Sequence, residues 1–243
     1  MRDNVRALIQ CAASSFSVEG PIYEFGSYLV PGQEQLANLR PLFPSRPYIG
    51  CDMRPGPGVD QVEDLGRLTL DDEVAGTIIC VDTLEHVFEV RRAVDEMIRV
   101  LRPGGMLLVS VPLDFRIHDY PDDYWRLTPS CIARLMAPLA ATIVGSQGVE
   151  GYPHTVFGIG VKAPVPTCFA QRAGLLIRSF EAWCAETKRR QPKLQQFKRW
   201  LSSWARSKGE RRRAAAEYSC RFVVQFPASS ADDTRALLDR TLA

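Results

Sequence analysis

The 243-residue chain has no apolar stretch approaching the ~20 residues that cross a bilayer. Met1 to Ser17 lack a basic region followed by an uninterrupted apolar block, so this segment does not read as a signal peptide. Seven cysteines, at 11, 51, 80, 131, 168, 184 and 220, include no Cys-x-x-Cys pair. Their odd number and scatter fit reduced thiols rather than a disulfide frame or a zinc site, and point to a cytoplasmic protein. No Gly-x-Gly-x-x-Gly follows a strand-like run, and no Gly-x-x-x-x-Gly-Lys-Ser/Thr occurs, which removes the dehydrogenase and phosphate-loop readings. No His, Cys and acidic residues stand at metal-ligand spacing either, so no metal is expected.

What the chain does have is enough apolar character, 46%, for a buried core. It also has a lopsided charge. Residues 165–243 hold 16 Lys and Arg against 7 Asp and Glu, whereas residues 1–164 hold 14 against 21. That break, beside Ala163-Pro164-Val165-Pro166, predicts a domain over 1–164 and a mainly helical basic extension over 165–243.

Within the first part, apolar runs predict strands at 22–25, 48–51, 59–62, 77–81 and 107–111. Helical spacing predicts helices over 2–13, 33–39 and 90–100, and Thr128-Pro129 supplies an N-cap and an N1 proline for a helix reaching about 137. Such alternation implies an α/β fold, its parallel sheet covered on both faces. Runs at 141–147 and 156–161, joined by a glycine-rich loop, read as an antiparallel hairpin at a sheet edge. Beyond the boundary, Phe169, Ala173, Leu176, Ile177, Phe180 and Cys184 mark an amphipathic helix. Leu194, Phe197, Leu201 and Trp204 mark a second helix, Cys220 to Phe226 reads as a strand, and 231–240 as a final short helix.

Four segments stand in one order: Ile22-Tyr23-Glu24-Phe25-Gly26-Ser27, Tyr48-Ile49-Gly50-Cys51-Asp52, Cys80-Val81-Asp82-Thr83-Leu84-Glu85-His86-Val87, and Leu101-Arg102-Pro103-Gly104-Gly105. The series resembles the class I S-adenosylmethionine-dependent methyltransferases, particularly their small-molecule, methyltransferase type 11-like branch. The resemblance covers roughly residues 20–135. It implies a Rossmann-like, doubly wound, mostly parallel seven-stranded sheet with an antiparallel edge hairpin, and S-adenosylmethionine as cofactor. It places Glu24, Gly26 and Ser27 near the amino-acid part of that cofactor and Asp64 and Leu65 at the adenine. It also brings Met53, Cys80 and Val81 to the cofactor. Asp52, at the end of its strand, has an independent rationale, because a carboxylate there can accept both ribose hydroxyls. The bland alternatives are a turn aspartate at 52 and a capping acid at 64. Position 28 departs from the pattern, since the family usually has Gly-x-Gly and this chain has Tyr28.

After the fifth strand, Pro112 to Leu127 form a loop crowded with aromatic, acidic and imidazole groups. Similar Tyr-Pro-x-Asp-Tyr-Trp-Arg stretches occur in a subset of methyltransferase-like proteins. A loop leaving the carboxyl end of a strand beside a cofactor is where an acceptor binds. His118 is the first candidate base, with Asp119 as orienter or alternate base; His86 is either a second base or a group that holds its loop. Tyr120, Tyr124, Trp125 and Arg126 are the candidate acceptor-lining residues, although Tyr124, Trp125 and Arg126 can equally anchor the loop onto the core and pair with Asp122 or Asp123. His154, in the hairpin loop, reads as a surface residue.

The function expected is methyl transfer to an oxygen or nitrogen of a small molecule, such as a sugar, a glycan precursor or a secondary metabolite. A catalytically inactive methyltransferase-like binding or scaffold protein, suggested by Tyr28, is the second reading. Methylation of RNA or protein has less support, because no Asn/Asp-Pro-Pro-Tyr-like segment follows the fourth strand. The basic, aromatic-containing tail reads as a helical pair packed on the domain or on a second subunit, as in a homodimer. Nucleic-acid or membrane binding by that tail is the less favoured alternative.

Overall fold

The computed structural model describes residues 1–118, 122–149, 151–190 and 218–227. In chain order the elements are α1 (Asp3–Ser15), β1 (Ile22–Phe25), α2 (Glu34–Ala37), β2 (Tyr48–Asp52), β3 (Gln61–Val62), β4 (Ala75–Val81), α3 (Val90–Val100), β5 (Leu101–Pro112), α4 (Pro129–Leu135), β6 (Ala141–Val149), β7 (Tyr152–Val161), α5 (Phe169–Arg190) and β8 (Cys220–Gln225). Three-residue 3-10 turns occupy Arg40–Leu42 and Leu84–His86. The second helix of the tail and the final helix expected at 231–240 lie outside the described residues.

Among the described residues the strands form one sheet, ordered β3-β2-β1-β4-β5-β7-β6-β8. The first five run parallel, and β7, β6 and β8 are antiparallel to their neighbours. Parallel strands demand covered faces, and β4 meets that demand: all seven of its residues are buried. The pleat divides it. Ile79 and Val81 face a core shared with α1 and α5, while Ile78 and Cys80 face a second core under α3 and α4.

Individual elements form for identifiable reasons. The α4 helix starts where expected, with the Thr128 hydroxyl accepting from the Cys131 N–H at 3.2 Å and Pro129 at its first position. The carboxyl end of α3 is capped from outside, by Lys162 Nζ donating to the carbonyls of Ile98 and Leu101 at 3.1 and 2.7 Å. Pro103-Gly104-Gly105, expected as a turn before a strand, lies inside β5 as an irregularity: pairing with β4 jumps from Leu101 to Met106.

The sheet has eight strands rather than seven. Cys220–Gln225 pairs antiparallel with β6 along its whole length, so the β6–β7 hairpin does not end in a free edge. Beyond the expected boundary at 164, α5 buries Phe169, Ala173, Leu176, Ile177, Phe180 and Cys184 in the same core as α1 and the sheet. No helix among the described residues is long and apolar enough to cross a membrane, and all seven cysteines are free thiols.

Phe180 ties α5 to that core, touching the rings of Phe157, Trp183 and Phe222. Phe180→Ala should therefore lower the stability of the main unfolding transition by ~3–5 kcal/mol in urea denaturation. An independent extension would leave that transition unmoved.

Candidate active site

The strand order reverses between β1 and β4, and open α/β sheets bind ligands in the crevice at that point. A cleft of about 1160 Å³ opens there, between the carboxyl ends of β1, β2 and β4 and the segments following β4 and β5. Its floor is set by a close approach. Gly26, at φ +83°, sits where a Cβ would stand 2.1 Å from Thr83 Oγ1, and its N–H donates to the Cys51 carbonyl at 2.9 Å. Only glycine allows both the turn and the approach.

The cleft is lined on this half by Glu24, Gly26, Ser27, Asp52, Met53, Asp64, Leu65 and Val81, as expected from the sequence. Asp52 ends β2, and its Oδ1 accepts from the Arg54 N–H at 3.0 Å. Asp64 Oδ1 accepts from the Gly66 N–H at 2.8 Å, which makes it a turn-stabilising acid as well as a lining one. Ser27 has a buried hydroxyl with no hydrogen-bond partner. Glu24 is buried on β1 and accepts from the Tyr48 hydroxyl at 2.7 Å; burial pushes its carboxyl up to about 7. Cys80 does not reach the cleft. The pleat turns its thiol into the core under α3, and Cys51 lines the cleft instead.

On the other half stand His86, Phe88, Phe115, His118, Asp122 and Tyr124. The segment around residue 123 is organised by one carboxylate. Asp123 accepts at Oδ2 from the His118 main-chain N–H at 2.9 Å and meets His118 Nδ1 at 3.0 Å, while both its oxygens receive Arg126 at 2.5 and 2.6 Å. The Arg126 guanidinium holds the Asp123 carboxyl well below the usual carboxylate range. An imidazole whose Nδ1 faces a carboxylate keeps its proton there, leaving Nε2 as the bare nitrogen. His86 repeats the pattern: its Nδ1 meets the Asp122 carbonyl at 2.6 Å, and its ring lies 4.8 Å from that of His118.

Trp125 and Arg126 do not line the cleft. The indole N–H donates to the Val87 and Phe88 carbonyls at 3.1 and 3.2 Å, and Arg126 is engaged by Asp123, so both serve as anchors. Asp119 and Tyr120 lie outside the described residues.

Three participants had no site role assigned from the sequence, although Asp123 was a candidate ion-pair partner and Glu85 stood in the Leu84-Glu85-His86-Val87 segment. Arg2 reaches across from the start of α1, donating to Asp82 and to the His154 carbonyl and lying over the Phe115 ring. Nothing local marks it. Asp123 orients His118; the only sequence signal is its three-residue spacing from Arg126. Glu85 is wholly buried beside the cleft, and neither carboxylate oxygen has a hydrogen-bond partner. Burial, with Asp82 nearby, pushes its carboxyl up to about 8.

Residues 34–109 match a family model described as a methyltransferase domain. Over that segment the chain is similar to methyltransferase domains. Solved structures similar to this chain include a SAM-dependent methyltransferase from Thermotoga maritima, at 20% identity and a TM-score of 0.47, covering 65% of this chain and 91% of that one. The N-methyltransferase NodS from Bradyrhizobium japonicum, in complex with S-adenosyl-L-homocysteine, aligns at 17% identity and a TM-score of 0.47, covering 65% and 85%. A methyltransferase from Mesorhizobium loti aligns at 13% and 0.46, covering 64% and 98%. No curated protein matches the chain. The cleft offers groups that fit S-adenosylmethionine: the backbone bared at Gly26, the unpartnered Ser27 hydroxyl and the Asp52 carboxylate.

Glu24 gives this half of the cleft a pH signature. Its folded value of about 7 lies above the ordinary 4.5, so the protonated form is the one the fold favours. The associated stability is fully present below about 4.5 and is lost as pH rises through about 7. Glu24→Gln, which keeps an acceptor for Tyr48, should exceed the wild type in stability at pH 8 by up to ~3 kcal/mol. The two should converge near pH 4.5, as followed by urea denaturation at each pH.

Proposed function

We propose that this methyltransferase moves a methyl group from S-adenosylmethionine to an oxygen or nitrogen of a small-molecule acceptor. One observation carries the reading: a single cleft of about 1160 Å³ is bounded by the carboxyl ends of β1, β2 and β4 on one side and by His118 and Tyr124 on the other. Ligand pockets commonly measure ~300–1,000 Å³, so there is room for a cofactor and a small acceptor together. When bound, S-adenosylmethionine supplies an electrophilic methyl group on a cationic sulfur. Asp52 would hold the ribose, Ser27 and the Gly26 turn the amino-acid end, and Leu65 the adenine.

The chain's remaining task is alignment and exclusion of water. Phe115, Tyr124 and Phe88 wall the acceptor half, with Phe88 and Tyr124 meeting edge to face at 5.3 Å. His118, fixed at Nδ1 by Asp123, presents Nε2 as the group that can take a hydroxyl or amine proton from the acceptor. The scaffold reading remains the alternative, motivated by Tyr28. The ring of Tyr28 stacks beneath the Arg54 guanidinium at 4.7 Å, and it lines the cleft.

S-adenosylhomocysteine at saturation should raise the melting temperature of the protein, and absence of any shift would favour the scaffold. Asp52→Ala should weaken that binding by ~10–100-fold in calorimetry, as expected for lost hydrogen bonds to a charged group. With an acceptor found by screening small molecules for S-adenosylhomocysteine release, His118→Ala should cut turnover at least ~10-fold. Its cofactor affinity should not change.

A further inference from the structure

Glu85, His86 and His118 come from two different segments and present ligand-capable atoms that all lie within 4.8 Å of one another. His86 and Glu85 exit β4 together, in the Leu84–His86 turn, whereas His118 arrives from beyond β5. Each imidazole is already secured at Nδ1, His86 by the Asp122 carbonyl and His118 by the Asp123 carboxylate. That leaves Nε2 of each ring as the uncommitted nitrogen, and Nε2 of His86 stands 3.8 Å from Glu85 Oε1. Glu85 itself is fully buried, with both oxygens unpartnered. A buried carboxylate without partners is costly, and a cation is one of the few partners that satisfies it.

We propose that Glu85, His86 and His118 form a site for one divalent transition-metal cation at the acceptor end of the cleft. Metal-bound histidines are held at their second nitrogen by a carboxylate or a carbonyl, and here both arrangements are in place before any ion arrives. Two imidazoles and one carboxylate suit zinc, cobalt, manganese or iron(II) and disfavour magnesium and calcium. Atoms bound to one such ion stand ~3–3.5 Å apart, so modest side-chain rotation closes the set. Three protein ligands leave a position open. His86 and His118 line the cleft, so that position faces it, and the ligand it takes is an oxygen donor such as an acceptor hydroxyl. The assignment to an acceptor rests on the methyl-transfer reading; the cation site does not. In the cation-loaded protein His118 acts through the ion, and in the chelator-treated protein its nitrogen meets the acceptor directly.

The test uses the full chain, stripped with a chelator and titrated with Co²⁺, read by calorimetry and by visible absorption. One Co²⁺ per chain is expected, with ligand-field bands characteristic of nitrogen and oxygen donors. Glu85→Gln and His118→Asn should each weaken binding by well over ~10-fold, and Asp123→Asn, which frees the His118 ring, by ~10–100-fold. His154→Gln removes the remaining histidine and should change nothing. Circular dichroism and the S-adenosylhomocysteine melting shift report whether each variant is folded. Acetohydroxamate, a bidentate oxygen probe, should perturb the Co²⁺ bands of the wild type. No saturable Co²⁺ binding, or binding that survives in both folded Glu85→Gln and His118→Asn, would overturn the site. Unperturbed bands with acetohydroxamate would overturn the open position. Should Co²⁺ bind while S-adenosylhomocysteine does not, the methyl-transfer reading falls and the cation site stands.

Discussion

The carbonyl of Glu85 accepts two main-chain hydrogen bonds, from the N–H of Tyr124 at 2.8 Å and from that of Trp125 at 3.2 Å. These bonds join the turn after β4 to the segment that follows β5, whose stretch before residue 119 contributes Phe115 and His118. Trp125 reinforces the join through its indole N–H, and His86 does so through Asp122. Together they make this wall of the cleft a continuation of the sheet's rim. Asp123 is carried into place by the same latch, and through Asp123 so are His118 and Arg126.

The two buried carboxylates on this rim are treated in opposite ways. Asp123 is satisfied four times over, by a main-chain N–H, an imidazole and two guanidinium nitrogens, and it is held ionised. Glu85, two positions from the Gly26–Thr83 contact, receives nothing at its carboxylate. A buried acceptor left unpaired costs ~1–3 kcal/mol, and more when charged. The chain can carry that because the cores on the two faces of the sheet supply the stability, with Ile78, Ile79 and Phe157 almost wholly buried. The unsatisfied group therefore marks where the fold concedes stability to the cleft.

Much of this was legible in the residues themselves. The apolar run of β4, the helical spacing of α3 and the Thr128-Pro129 start are local signals, and each appears in the structure where the local physics puts it. The lining role of Asp52, Gly26 and Val81 follows from their positions at strand ends, which the strand runs already fix. What stayed hidden is non-local or degenerate. Cys220 to Gln225 reads as a strand, but nothing in those six residues says that β6 is its neighbour. Arg2 meets Asp82 across eighty positions. In the loop after β5, Asp114, Asp119, Asp122 and Asp123 are interchangeable by composition, and among the described residues the hydrogen bonds single out Asp123 as the orienter of His118. The Glu85–His86–His118 grouping fails any spacing rule because thirty-two residues, including all of β5, separate two of its members.

Tyr28 is accommodated by the loop after β2. Where the family usually has a second glycine, the ring of Tyr28 reaches sideways to the loop after β2. It packs under Arg54, and a Cβ at Gly56 would stand 2.3 Å from its Cε2. Gly58 is equally constrained, since a Cβ there would stand 2.5 Å from the Ser27 carbonyl. Around Tyr28 the close approaches that need a missing side chain fall at Gly56 and Gly58. The turn after β1 and the loop after β2 thus fit as a pair. Met53 and Arg54, leading into that loop, still line the cleft. Tyr28 is therefore matched by its surroundings, and Gly26 is the glycine that the Thr83 contact cannot spare.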